Sequence, residues 1–132
     1  MRAVFDANIA VFALLERRDE AVNWFRRLAR LELDVSVPDL LFAEVGQALA
    51  GHVRAGDLAR ELAVARLDFL HTVPFDVRPL ELLAAPALGL ALARDLSVYD
   101  ACYAVLAEAE DAVLVTGDVR LAESTRRAEL VR

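Results

Sequence analysis

The sequence predicts an α/β fold with a central parallel sheet of four to five strands and helices on both faces. Three observations lead there. Short apolar runs of strand length recur at Arg2–Asp6, Leu33–Val37, His71–Phe75, Ala112–Asp118 and Glu129–Val131. Longer stretches with apolar residues at helical spacing separate them, and strands joined by helical crossovers pair in parallel. Finally, 132 residues at 58% hydrophobic content suffice for one domain, residues 1–132, with a sizeable core.

Each element has a local signature. Arg2-Ala3-Val4-Phe5-Asp6 is a buried strand ending in a carboxylate, and Ile9 to Leu15 follow as a short helix. Asp6 and Asn8 read equally as turn or cap residues and as site residues. Asp19 is placed to cap a longer helix, with Val22, Phe25, Leu28 and Ala29 inward and Arg26, Arg27 and Arg30 outward. Leu33–Val37 is the second strand, stopped by Pro38. Asp39 then caps a helix from Leu40 to Arg54 that Gly56 ends. Glu44 lies against the stripe formed by Leu41, Val45, Ala48 and Leu49. A carboxylate there is costly unless it is paired, metal-bound or reaches water. His52 reads as a surface residue.

Asp57 caps the next helix, through Leu70. His71–Phe75 follows as an edge strand, since Pro74 donates no ladder bond. His71 has no second histidine or cysteine at ligand spacing. Arg78-Pro79 opens a helix that Pro86 is expected to kink or break before it resumes to Arg94. Ser97 is an N-cap with Asp100 three residues on, the spacing of a capping box. The helix through Glu108 is apolar on nearly every side and therefore buried. A strand from Ala112 runs to Thr116-Gly117-Asp118; a helix from Val119 to Arg127 and a last strand, Glu129–Val131, complete the order.

Composition narrows the function. The net charge is −6 and every one of the 15 basic residues is arginine. Non-specific nucleic-acid binders are normally basic, so simple electrostatic capture is disfavoured. No apolar run reaches the ~18 to 20 residues of a membrane span, and Asp6 interrupts any secretory leader. A lone cysteine, Cys102, excludes an intrachain disulfide and indicates a cytoplasmic protein. The early helices crowd Val11, Phe12, Leu15, Trp24 and Phe25 together. Trp24 and Phe25 point about 100° apart on a helix, so part of this surface is expected to receive a partner.

Ligand sites in parallel sheets lie outside the carboxyl ends of the strands. Asp6 and Asp118 end two strands, Asp100 opens the helix entering one, and Glu44 lies in the helix after another. Four carboxylates are thus placed to converge. At ~5 Å and an effective dielectric of ~20, each pair costs about 3 kcal/mol, so some stay protonated or a cation neutralises them. Oxygen-only ligands select Mg²⁺ or Mn²⁺ over zinc, and such ions assist attack of water on a phosphodiester.

Val4-Phe5-Asp6-Ala7-Asn8, Glu44 within Pro38–Val45, Leu96-Ser97-Val98-Tyr99-Asp100-Ala101 and Leu114-Val115-Thr116-Gly117-Asp118 resemble the acidic motifs of PIN-domain nucleases. More narrowly, they resemble the VapC-type toxins of bacterial toxin–antitoxin pairs. The resemblance covers the chain in order and spacing and implies a PIN-like three-layer sandwich. It also implies a Mg²⁺- or Mn²⁺-dependent endoribonuclease, usually a homodimer, that acts on RNA and is held inactive by a cognate antitoxin. Asp6, Glu44, Asp100 and Asp118 would then be the metal-binding, catalytic carboxylates. Asn8, where the family often has serine or threonine, and Thr116 would support them.

Other classes fit less well. A haloacid-dehalogenase-like phosphatase wants a second aspartate at position 8 and a lysine, and a receiver domain wants the same lysine. No glycine-rich phosphate loop exists. The remaining alternative is a PIN-like binding module with a degenerate site, against which retention of all four carboxylates argues.

Overall fold

A computed structural model describes residues 1–132. The chain runs β1 (Arg2–Phe5), α1 (Ala7–Leu14), α2 (Asp19–Ala29), β2 (Asp34–Pro38), α3 (Leu40–Arg54) and α4 (Arg60–Leu70). It continues with β3 (Asp76–Arg78), α5 (Leu80–Arg94), α6 (Val98–Ala109), β4 (Val113–Thr116), α7 (Val119–Glu123) and β5 (Ala128–Leu130). All five strands are parallel, in the order β3-β2-β1-β4-β5. The sheet grows outward from β1 in both directions, so the winding reverses between β1 and β4. That reversal opens a crevice at the carboxyl ends of these two strands.

Ala3, Val4 and Phe5 are all completely buried. Successive strand residues point to opposite faces, so both faces of β1 are covered. Helix α6 packs along β1, β2 and β4, with α5 against it, while α1 packs with α2 and α3, and α3 with α4. No single helix is long and apolar enough to cross a membrane.

One carboxylate ties three strands together. Glu110, just past α6, accepts hydrogen bonds from Arg2 and Ser36, both at 2.7 Å, and from Arg78 at 3.1 Å. Those donors belong to β1, β2 and β3. Burial alone would raise the Glu110 pKa, but these three donors more than reverse it and leave it below the ordinary glutamate value.

The structure corrects several expectations. The third strand is Asp76–Arg78, paired to β2 as Ser36↔Asp76, Val37↔Val77 and Pro38↔Arg78. His71 instead caps the end of α4, and its ring stacks on Phe42. Pro86 lies inside α5 without breaking it. Arg18 and Ala59 stand at N-cap positions expected for Asp19 and Asp57. Asp39 does stand at the N-cap of α3, but its carboxylate accepts from the Leu80 N–H at 3.1 Å rather than from its own helix. Helix α7 is shorter than expected, and β5 begins one residue earlier. His52 is half-buried and bonded to Asp57 at 3.0 Å.

Of the apolar residues expected to receive a partner, Trp24 is withdrawn into the core while Phe25 stays partly open to a groove. Trp24 is buried and Phe25 half-buried, because both pack around Phe5, with ring centroids at 6.0 and 5.5 Å; Phe75 joins them at 6.3 Å. The large exposed apolar side chains lie elsewhere, notably Leu82, Leu88 and Leu92 of α5 at 70, 51 and 79% exposure.

Candidate active site

Asp6 follows the last residue of β1 and caps α1. Its backbone remains extended and its N–H donates to Val115 at 3.0 Å, so the sheet ladder carries the residue to the sheet edge. Asp6 Oδ1 accepts from the Ala7 N–H at 2.7 Å. Asp6 Oδ2 accepts from the Thr116 hydroxyl at 2.7 Å and from Asn8 Nδ2 at 3.1 Å.

Asp118 sits two residues beyond β4 and caps α7, accepting from the Leu121 N–H at 3.1 Å. Its own N–H donates to Thr116 Oγ1 at 3.0 Å. Asn8 Oδ1 accepts from the Gly117 N–H at 3.0 Å. Asn8 and Thr116 therefore bind the first and last acidic segments into one unit. This close approach leaves no room for a side chain at 117: a Cβ there would lie 2.8 Å from the Phe12 ring.

Asp100 stands in the first turn of α6, where its N–H donates to the Ser97 hydroxyl at 3.0 Å, one arm of a capping box. Glu44 projects from α3 and accepts a 2.6 Å hydrogen bond from the completely buried Tyr103. Tyr103 lies one turn beyond Asp100 on α6. It is the residue that pattern reading passed over, because an aromatic side chain within a buried helix looks like plain core. Its spacing from Asp100 was the available signal.

The four acidic side chains line one cleft of about 280 Å³, with Ala7, Asn8, Val11, Phe12 and Ala48 completing the walls. Burial pushes the Asp6 pKa up to about 7 despite the hydrogen bonds from Thr116 and Ala7, and the Asp100 and Glu44 charges add to the rise. Burial also raises Glu44, opposed by Tyr103 and reinforced by Asp100. Asp100 is raised by burial and by Asp118, partly offset by Ser97 and by Arg120. Every ion pair of the protein lies elsewhere, and none engages these four residues. Arg120 itself is held by Asp95.

The donor set suits a hard divalent cation: carboxylates only, partly buried, mutually repelling and without a cationic partner. No three of them approach closely enough to enclose an ion as they stand. The cleft therefore supplies the chemistry of a metal centre but not a closed coordination shell. Of three larger grooves, two, of about 320 and 370 Å³, are mainly apolar with arginines among their lining residues, and the third, of about 380 Å³, has Glu123 as its only acid. They offer no comparable chemistry.

The chain matches the PIN domain family over residues 3–126. It is 36% identical over 124 residues to Ribonuclease VapC1 of Mycobacterium tuberculosis, an overlap of 90% of this chain and 87% of that protein. Among solved structures it resembles PAE2754 from Pyrobaculum aerophilum, with a TM-score of 0.75 and 28% identity over 97% of this chain and 82% of that one. It also resembles a chain of a toxin–antitoxin complex from Klebsiella pneumoniae, with a TM-score of 0.61 over 96% and 95% of the two chains. At 19% identity, that second likeness is one of fold.

Proposed function

The chain belongs to the PIN-domain family, with VapC-type ribonucleases as its relatives, and from that premise we propose a divalent-metal-dependent endoribonuclease toxin restrained by a cognate antitoxin. The observation that carries this reading is the single cleft lined by Asp6, Glu44, Asp100 and Asp118, none of them ion-paired. In this reading those four hold Mg²⁺ or Mn²⁺. When bound, such ions stabilise the attacking and leaving oxygens in phosphodiester hydrolysis. Thr116 and Asn8 orient Asp6, and the capping bond at Ser97 orients the first turn of α6 that bears Asp100. The Mycobacterium tuberculosis relative, named a ribonuclease, supports RNA as substrate. The cytoplasm is the proposed place of action.

The antitoxin reading draws support from the Klebsiella pneumoniae complex, and the chain offers a matching surface. Val22, Phe25, Phe69 and Val73 line the larger apolar groove, with Arg26 and Arg66 beside them and unpaired by any acid. An amphipathic helix with an acidic flank suits it. A homodimer would use α5, whose Leu82–Ala93 stretch carries no charge while exposing Leu82, Leu88 and Leu92. Sedimentation of Leu92→Glu beside the unmodified protein tests the dimer.

RNA cleavage tests the activity. It is expected to need Mg²⁺ or Mn²⁺, to stop with chelator and to vanish in Asp100→Asn while circular dichroism stays unchanged. Undiminished cleavage by Asp100→Asn in metal-free buffer would instead mark the protein as a binding module with contaminating nuclease, or place the chemistry elsewhere.

A further inference from the structure

Resting on that reading of the cleft, we propose that Tyr103 is a positioning residue: its buried phenol fixes the Glu44 carboxylate as a ligand for the divalent ion. Glu44 enters the cleft from α3 and, unlike Asp6 and Asp118, accepts from no backbone N–H and from no residue of its own segment. Its only hydrogen bond comes from Tyr103, at 2.6 Å. A glutamate on a helix edge has several free torsions and ordinarily extends to water. The phenol removes that freedom by engaging Oε1, and Oε2 is left for an ion.

The phenol is well suited to this task. Tyr103 is completely buried and belongs to the main hydrophobic core, so its ring is held by packing. Its hydroxyl makes no other hydrogen bond. Asp100 lies three residues earlier on the same helix, so α6 supplies one carboxylate directly and orients a second through its phenol. Partners that hydrogen-bond metal ligands from outside the coordination shell commonly matter 10- to 100-fold for metal affinity.

The competing explanation is that Glu44 merely satisfies a buried phenol, with no consequence for the cleft. Mn²⁺ binding, followed by electron paramagnetic resonance on the full chain, separates the two. Tyr103→Phe is expected to weaken Mn²⁺ binding about 10- to 100-fold, with the fold retained by circular dichroism. In a Glu44→Ala background the same substitution is expected to change nothing, because the group it positions is gone. Equal affinity of Tyr103→Phe and wild type overturns the proposal, as does an equal loss in both backgrounds. Glu44→Asp, which shortens the side chain out of the phenol's reach without touching the core, provides a second arm. Wild-type affinity in that variant overturns the proposal as well. If the wild type itself binds no Mn²⁺, the metal reading of the cleft falls first and this one falls with it. Binding by wild type without any Tyr103 effect leaves the metal reading standing.

Discussion

Thr116 donates a hydrogen bond to Asp6 at 2.7 Å although 110 residues of chain separate them. The same hydroxyl accepts the Asp118 N–H, so one oxygen serves two of the four acids. Thr116→Val keeps the shape and removes both bonds. If Asp6 holds the proposed ion, RNA cleavage is expected to fall about 10- to 100-fold, the range for groups that orient a metal ligand. Thr116→Ser should recover most of it. Equal single-turnover rates for valine and wild type would show that the hydroxyl does not matter.

Asp6 sets a pH dependence whose sign follows from its raised pKa. Below the ordinary aspartate value of 3.8 the group is protonated both folded and unfolded, and folding loses nothing. As pH rises toward about 7, the unfolded chain ionises first and folded stability drains away. Without divalent cation, Asp6→Asn is therefore expected to be more stable than wild type at pH 8, by up to about 4 kcal/mol. The difference should vanish near pH 3. Urea melts at the two pH values measure it, and the stabilised variant should cleave no RNA.

Glu110 has the opposite slope. Its folded pKa lies below the ordinary value, so its contribution is present above that value and is lost as pH falls through the lowered one. Glu110→Gln retains an acceptor but loses two ion pairs, to Arg2 and Arg78. Both arginines are well exposed and rehydrate readily, so the cost should sit below the range for breaking a fully buried pair, at about 2 kcal/mol. Denaturation at neutral pH checks this, and the loss should shrink in acid.

Gly117 has no freedom to gain a methyl group. Gly117→Ala drives a Cβ to within 2.8 Å of the Phe12 ring, over which the Arg18 guanidinium lies at 4.8 Å. A loss of about 1–3 kcal/mol is expected from this overpacking. Phe12→Leu in the same chain should recover part of it, as thermal melts would reveal. No recovery would mean that the strain lies in the backbone.

The parts of the fold written plainly in the sequence are those whose side chains face the core. The strands β1, β2 and β4 are apolar runs that cannot sit elsewhere. Strand β3 is the counterexample: Asp76, Val77 and Arg78 are all exposed, and only pairing to β2 makes them a strand. That pairing is non-local, and the apolar Phe75 just before it is drawn to Phe5 instead. Pro86 was expected to disrupt a helix that its packing against α6 keeps continuous.

The acidic residues were readable because each stands where a segment changes direction or where an apolar stripe is interrupted. Tyr103 was not, since a phenol's function depends on what its hydroxyl meets across the molecule. Nor was the fate of Trp24 and Phe25, whose shared neighbour Phe5 lies in another element.

The reversal of winding between β1 and β4 has a consequence for the timing of activity. The cleft joins the first strand made to the fourth, and a ribosome must deliver everything between them before Asp6 can meet Thr116. An interrupted translation product lacking β4 therefore carries three of the four acids but neither Asp118 nor the Thr116 hydroxyl that ties it to Asp6. Whatever hazard this cleft poses to the cell that makes it arises all at once, late in the synthesis of each copy. Any inhibitor that acts on the finished cleft has to be waiting when it closes.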